Sequence, residues 1–208
     1  LAMGGLVEQQ VSLALEAMAK LDLDLAKQVR QDEKRVNQME LVIDENCTRI
    51  IAKRQPTARD LRLVMATIKL SPELERIGDM ANQIAAITQN ELTKEMLGYI
   101  RAIDPLGKIA FDMLHQVLDA FARMDIESAA RIYTMDTDLD DAYELYQKQL
   151  TQTMMENPQQ IPRYMQLLKV AQCIERIGDR CQNICEYILY SVKGKDIRHQ
   201  SGNLNKHL

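Results

Sequence analysis

Two acidic residues stand four positions apart in the segment ERIGD at 75–79, and the same five residues recur at 175–179. Four residues on an α-helix make about one turn, so Glu75 and Asp79 lie on one face, and the second segment repeats the arrangement. Like charges so placed repel each other by a few tenths of a kcal/mol in water. Carboxylate oxygens one turn apart can also share a cation, which removes the repulsion. The spacing predicts a cation-binding face displayed twice, although a single pair of this kind is typical of solvated surface.

A second acidic stripe precedes each of these segments. Asp136 and Asp140 are four residues apart, and Glu33 and Asn37 hold the same positions 103 residues earlier. Glu40 extends the earlier stripe. If an antiparallel neighbouring helix brings each stripe against its ERIGD face, the carboxylate and amide oxygens form an all-oxygen site for more than one ion.

The two halves of the chain are copies of one unit. The ERIGD segments are 100 residues apart, and the segment MAKLDLD at 18–24 aligns with FARMDIE at 121–127 at an offset of 103. Each copy is long enough for three helices. The sequence therefore predicts an all-α fold of two tandem, pseudo-symmetric three-helix bundles. The predicted units are 1–92 and 93–208, the second with a C-terminal tail, and the first helix is expected to lack its N-terminal part.

Apolar residues spaced by three and four positions predict long helices. The predicted bounds are 3–20, 23–54, 57–90, 94–122, 126–156 and 159–193. Thr57 followed by Asp60 predicts a capping box at the third helix. Asp104 and Pro105 predict a bend or short break in the fourth. The glycine within each ERIGD segment costs about 1 kcal/mol relative to Ala, which predicts a closely packed neighbouring helix at that point.

Composition excludes several classes of protein. The 208 residues are 46% hydrophobic and 27% charged, which excludes a disordered chain. Only 8 Gly and 5 Pro are present, too few for the turns of a β-sandwich or barrel. A net charge of −4 argues against nucleic acid as a partner. No apolar run approaches a membrane span of about 20 residues, and four cysteines without paired spacing predict a reducing, cytoplasmic location.

The other metal-binding residue types form weaker patterns. Cys181 and Cys185 are one turn apart and follow Cys173, so zinc binding is one interpretation. The first repeat has no cysteine at these positions, and burial in the core is the favoured interpretation. The three histidines are scattered without a Glu-x-x-His motif, which disfavours a ferritin-type di-iron site. No phosphate-binding glycine loop or catalytic triad pattern occurs.

The segment QPTARDLR at 55–62, followed by the two ERIGD segments, resembles the PhoU family of regulators of bacterial phosphate uptake. The resemblance extends from about Met3 to Lys195, most of the chain. The segments IAKRQP at 51–56 and RCQNICE at 180–186 are similar to the gammaproteobacterial type.

The resemblance implies a fold and a set of metal ligands. Members of the family consist of two three-helix bundles whose acidic motifs hold metal clusters, of iron or zinc in some members, so multinuclear sites are expected here. The oxygen donors also make manganese and magnesium candidates. The carried-over ligands are Glu33, Glu75 and Asp79 in the first repeat and Asp136, Asp140, Glu175 and Asp179 in the second. Asn37 is kept in the predicted ligand set of the first repeat, but it departs from the acidic pattern of the family, which implies fewer or more weakly held ions there.

The resemblance also implies a function without catalysis. Such proteins are negative regulators of the phosphate-starvation response. They are expected to connect the ATPase subunit of the phosphate ABC transporter with a membrane sensor histidine kinase. A cytoplasmic homodimer that reaches the inner membrane only through these partners is therefore expected.

Two alternatives remain open from the residues themselves. The first is a metal-dependent hydrolase acting on a phosphorylated substrate. The second is a purely structural, coiled-coil-like adaptor whose acids contact basic partner surfaces directly. Oxygen donors suit several cations, and zinc also accepts carboxylate, so the residues do not identify the metal.

Overall fold

The chain folds as an array of helices, and the computed structural model describes residues 1–194. Within that range there are seven α-helices, two short 3-10 helices and no strand. The α-helices are α1 (Ala2–Lys20), α2 (Leu23–Arg54), α3 (Ala58–Asn90), α4 (Leu97–Arg101), α5 (Asp104–Arg123), α6 (Ile126–Glu156) and α7 (Ile161–Lys193). The 3-10 helices are Lys94–Met96 and Pro158–Gln160. The predicted all-α class is confirmed, and the predicted C-terminal tail lies outside the described residues.

The helices pack as two bundles of three. Helices α1, α2 and α3 contact one another, and so do α5, α6 and α7. The bundles join where α3 packs along α7 and α1 crosses α5, and one hydrophobic core runs through both. The predicted pair of three-helix bundles is confirmed. The unit boundary between residues 92 and 93 remains a prediction.

The contacts between α1 and α5 occur in equivalent pairs, as the repeat in the sequence predicts. A Cβ atom built on Gly4 would lie 2.8 Å from Leu118 Cδ2, and one built on Gly107 would lie 3.0 Å from Leu15 Cδ2. Both the glycines and the leucines are 103 positions apart in the chain. The same close approach is therefore made twice, as expected for two bundles related by a pseudo-twofold axis.

The turn between the first two helices of each bundle is built in the same way. The Asp22 carboxylate accepts hydrogen bonds from the backbone N–H groups of Asp24 and Leu25, which caps α2. The Asp125 carboxylate accepts one from the backbone N–H of Ser128, which caps α6. A cap of this type contributes about 1 kcal/mol to helix stability. Both long helices that carry acidic stripes thus begin at defined residues.

The predicted capping box at α3 is wrong. Thr57 holds the N-cap position, but its side chain makes no cap hydrogen bond. Ala58 has a φ of 38°, so the backbone enters the helix through a left-handed residue and not with the geometry of a side-chain cap. Asp60 is exposed in the first turn.

The predicted interruption of the fourth helix is confirmed. The segment predicted as one helix consists of a 3-10 turn, the short helix α4 and then α5, which begins at Asp104 with Pro105 in its first turn. Proline has no N–H to donate and has a fixed φ, so it favours the start of a new helix. Among the described residues, no helix is long and apolar enough to cross a membrane.

Candidate metal centres

Each bundle brings the acidic stripe of its second helix against the ERIGD face of its third. The first acidic cluster consists of Glu33 and Glu40 on α2 and Glu75 and Asp79 on α3. The second acidic cluster consists of Asp136 and Asp140 on α6 and Glu175 and Asp179 on α7. The predicted pairing of the two stripes in each bundle is therefore what the fold produces.

Glu33 and Asp79 of the first acidic cluster line an open depression of about 430 Å³ between α2 and α3, together with Asn82. Burial raises the pKa of Glu75, and the charges of Asp79, Glu40 and Glu33 raise it further, while Arg76 opposes the rise. Burial, followed by the charge of Glu33, also raises the pKa of Asp79. The carboxylates are thus near enough to disfavour one another's charge.

Glu40 is a member of the first acidic cluster that the predicted ligand set lacked. Its charge acts on Glu75 more strongly than that of Glu33 does. Asn37, which the ligand set included, is exposed, and its side chain makes no hydrogen bond to the cluster within the described part of the chain. The sequence already showed Glu40 as an extension of the stripe, but the second repeat has Tyr143 at this position, so a ligand set carried over between the repeats left it out.

An amide group also belongs to the first acidic cluster. The Asn82 side chain donates a hydrogen bond of 2.8 Å from Nδ2 to the Glu33 carboxylate. Its buried Oδ1 atom has no hydrogen-bond partner within residues 1–194. The residue thus ties α3 to α2 beside the acids and leaves one oxygen acceptor available.

The second acidic cluster is less exposed than the first. Burial raises the pKa of Glu175 and of Asp179, and the positive charges of Arg176 and Arg180 oppose both rises. Burial, followed by nearby acids, raises the pKa of Asp140 as well. The two arginines partly neutralise this cluster, whereas Arg76 alone does so in the first.

Asp136 is the most strongly affected acid of the protein's second cluster. Its side chain is buried, and Oδ1 has no hydrogen-bond partner among the described residues. Burial and the charges of Asp140, Asp179 and Glu175 raise its pKa to about 7. A buried carboxylate oxygen without a partner is costly unless a proton or a cation compensates its charge.

Gly178 allows α6 to approach α7 closely enough to place Asp136 there. A Cβ at this position would clash with Leu139 Cδ2 and would lie 3.1 Å from Asp136 Oδ1. At the equivalent Gly78, a Cβ would lie 3.1 Å from Gln10 Oε1. The predicted close packing at both mid-helix glycines is confirmed.

Replacing Gly178 by alanine is expected to destabilise the protein by about 1 kcal/mol. Overpacking against Leu139 costs about 1–3 kcal/mol, and the better helix propensity of alanine returns about 1 kcal/mol. Gly78→Ala is the matched control and is expected to be close to neutral, because its Cβ would lie 3.1 Å from Gln10 Oε1 and at an ordinary contact distance of 3.5 Å from Val36 Cγ1. Urea denaturation of both variants measures the difference. Equal effects at the two glycines would contradict this role of Gly178.

The donor set fits a hard cation, although it is not gathered into a finished site. As positioned, no group of three or more His, Cys, Asp or Glu side chains among residues 1–194 could hold a metal ion. The clusters nevertheless offer carboxylate oxygens of the type that magnesium, manganese and iron accept. The partnerless oxygens of Asp136 and Asn82 are the observations that favour such a ligand.

The other candidate metal residues fall elsewhere. The cysteines are free and buried in the core, as favoured above. The side chain of Asn183, which lies one turn beyond Asp179 on α7, donates a hydrogen bond to Glu73 on α3. His115 is paired with Glu8 across α1 and α5, away from both clusters. The acidic clusters therefore remain the candidate centres.

Comparison with known proteins agrees with this architecture. A sequence model described as PhoU domain matches residues 1–88 and 103–188. The chain is 52% identical over 203 residues to the phosphate-specific transport system accessory protein PhoU of Escherichia coli, covering 98% of this chain and 84% of that protein. It is 43% identical over 201 residues to the homolog of Pseudomonas putida, covering 96% of this chain and 78% of that one.

Two solved structures share the fold. The crystal structure of PhoU from Pseudomonas aeruginosa superposes with a TM-score of 0.85 at 40% identity, covering 94% of each chain. That of the phosphate transport system regulatory protein PhoU from Streptococcus pneumoniae gives 0.83 at 29% identity, covering 94% of this chain and 92% of that one.

Proposed function

The chain belongs to the PhoU family, and we propose that it is a non-enzymatic regulator of a phosphate transport system. The observation that carries this proposal is the 52% identity to the E. coli accessory protein over 98% of the chain. In the proposed role it is a negative regulator that keeps the phosphate-starvation response off when phosphate is plentiful.

The proposed mode of action is that of an adaptor. Two pseudo-symmetric bundles display two versions of one surface, and such an arrangement suits simultaneous contact with two partners. We assign these partners as the ATPase subunit of the phosphate ABC transporter and the membrane sensor histidine kinase. The chain then works in the cytoplasm and reaches the membrane through them, as a homodimer.

The acidic clusters are proposed to hold divalent or trivalent cations, with iron, zinc, manganese and magnesium as the candidates. Such an ion supplies positive charge between two helices that carry like charges. The residues that would hold it are Glu33, Glu40, Glu75 and Asp79 in one bundle and Asp136, Asp140, Glu175 and Asp179 in the other. Compensation of the mutual repulsion would fix α2 against α3 and α6 against α7, and with them the adaptor surface.

A reporter assay tests the regulatory role. In a bacterial strain without its own PhoU protein, this chain is expected to restore low output of a phosphate-starvation reporter in high phosphate. Glu175→Gln with Asp179→Asn is expected to raise the output again. The matched control, Glu16→Gln with Asp24→Asn, removes the same charge at exposed ion pairs and is expected to repress normally. Full reporter output with the folded wild-type chain would contradict the proposal.

A phosphohydrolase is the second candidate, favoured by one observation. Burial and neighbouring charges raise the pKa of Asp136 to about 7, a value suited to general acid–base catalysis. Saturable turnover of p-nitrophenyl phosphate with added Mn²⁺ or Zn²⁺, abolished by Asp136→Asn, would favour the enzyme. The adaptor proposal expects no turnover above that of the metal alone.

A further inference from the structure

A buried carboxylate lies at the junction of the two bundles, outside both acidic clusters. Glu73 of α3 is only 5% exposed. Its Oε2 atom accepts hydrogen bonds from Arg180 Nη1 at 3.3 Å and from Asn183 Nδ2 at 3.4 Å. Its Oε1 atom accepts one from the Tyr187 hydroxyl at 3.3 Å and lies 3.6 Å from an Arg76 nitrogen. Three of these four partners belong to α7.

The junction is duplicated in geometry but not in charge. At the offset of 100, Glu73 corresponds to Cys173 and Asn183 corresponds to Gln83. The Cys173 thiol donates a hydrogen bond to Gln83 Oε1 at 3.0 Å, the counterpart of the contact between Glu73 and Asn183. The counterpart of Arg180 in the first repeat is the uncharged Met80. One side of the pseudo-twofold axis therefore carries an ion pair that the other lacks.

Arg180 stands between this carboxylate and the second acidic cluster. It directly follows Asp179 in the chain, and its positive charge acts on both Asp179 and Glu175. Its Nε atom is buried and has no hydrogen-bond partner in the part of the chain that the structure describes. The guanidinium thus binds the Glu73 carboxylate and has a further N–H group that could donate a hydrogen bond. Its charge also acts on the acids of the second acidic cluster.

We propose that Glu73 is a positioning residue that holds Arg180 off the carboxylates of the second acidic cluster and so keeps that cluster open to a cation. This inference rests on the cation binding proposed above. An arginine keeps its charge at any ordinary pH and forms paired hydrogen bonds with carboxylates. Without the negative charge of Glu73, the strongest remaining partners of Arg180 are the acids that would otherwise bind the ion.

Titration of Mn²⁺ into chelator-treated full-length chain tests the proposal. The double variant Glu75→Gln with Asp79→Asn removes the ligands of the first acidic cluster, so that the titration measures Mn²⁺ binding at the second. In that background, Glu73→Gln is expected to weaken Mn²⁺ binding about tenfold, as for other residues that orient metal ligands from outside. In the background Glu175→Gln with Asp179→Asn, which leaves the first cluster, Glu73→Gln is expected to change the affinity less than twofold.

Removal of Arg180 separates this role from a structural one. Arg180→Met, the residue of the first repeat, is expected to restore wild-type affinity or better when combined with Glu73→Gln. A merely structural role of Glu73 predicts no rescue, because the double variant disturbs the junction further. Glu73→Cys, the residue of the second repeat, provides a second variant if the glutamine chain does not fold.

The outcomes distinguish the inference from the function on which it rests. If the wild-type chain binds Mn²⁺ and Glu73→Gln leaves the affinity unchanged, or Arg180→Met gives no rescue, the inference is wrong while cation binding stands. If the wild-type chain does not bind Mn²⁺, both fall. A crystal structure of the ion-free Glu73→Gln variant provides an independent test. The Arg180 guanidinium is expected to bind Asp179 or Glu175 in that structure. If it still binds the side chain at position 73, the inference is wrong.

Discussion

Replacing Asp136 by asparagine is expected to stabilise the ion-free protein by about 4 kcal/mol at pH 8 and to change its stability little at pH 4. Burial and the charges of Asp140, Asp179 and Glu175 raise the pKa of Asp136 from its ordinary 3.8 to about 7. Between pH 3.8 and about pH 7, Asp136 is therefore protonated in the folded chain and ionised in the unfolded chain. One pKa unit corresponds to about 1.4 kcal/mol, and the side chain is only 7% exposed, so little of the effect is screened by solvent.

The sign of this pH dependence is opposite to that of an ordinary salt-bridged aspartate. Because the folded-state pKa of Asp136 is raised, the carboxyl is protonated in both the folded and the unfolded chain below about pH 4, and it then does not lower the free energy of unfolding. The free energy of unfolding contributed by the group then falls as the pH rises to about 7, and stays low above it. Asparagine has no charge to bury, so the difference between variant and wild type grows over that window.

Urea denaturation in the presence of a chelator measures this prediction. Curves for wild type and Asp136→Asn at several pH values between 4 and 8 give the difference in unfolding free energy. Asp138→Asn, at an exposed position on the same helix, is the matched control and is expected to change stability by less than about 0.5 kcal/mol. A loss of stability in Asp136→Asn at pH 8 would show that the carboxylate is better compensated than its surroundings indicate.

Neutralising the ERIGD acids of one bundle is expected to weaken cation binding in that bundle on the order of 100-fold and to leave the other bundle almost unchanged. Carboxylates supply both the charge and the ligand atoms for a hard cation, so their loss exceeds the 10–100-fold effect typical of residues outside the ligand set. Glu175→Gln with Asp179→Asn addresses the second acidic cluster, and Glu75→Gln with Asp79→Asn addresses the first.

Equilibrium dialysis against Mn²⁺, followed by elemental analysis, measures this loss. Each double variant is expected to retain the ions of one bundle only. The control Glu16→Gln with Asp24→Asn, which has the same net charge change at exposed positions, is expected to retain both sets. Full metal content in either cluster variant would show that the ligand assignment is wrong.

Much of the fold could be predicted because its determinants are local. The predicted bounds 23–54 and 126–156 agree with α2 and α6, whose polar and apolar residues follow the helical period without interruption. The break before α5 follows from the backbone restrictions of proline at position 105. The capping box at Thr57 failed because the φ of Ala58, which decides it, is not encoded by a residue that favours positive φ.

The acidic clusters were predictable in part for the same reason. Helical spacing places Glu75 with Asp79 and Asp136 with Asp140, and the repeat indicates which helices meet. Glu40 was not in the predicted ligand set because the second repeat carries Tyr143 in its place. The role of Glu73 could not be predicted, since it depends on packing between α3 and α7 that no spacing within one helix encodes.

Anomalous diffraction at the metal edge, from crystals of protein purified without chelator, tests the central claim most directly. The account predicts a peak between α2 and α3 beside Glu33, Glu75 and Asp79, and another between α6 and α7 beside Asp136 and Asp179. A metal-containing crystal with its peaks at the cysteines or at His115, and none at the acidic clusters, would contradict it.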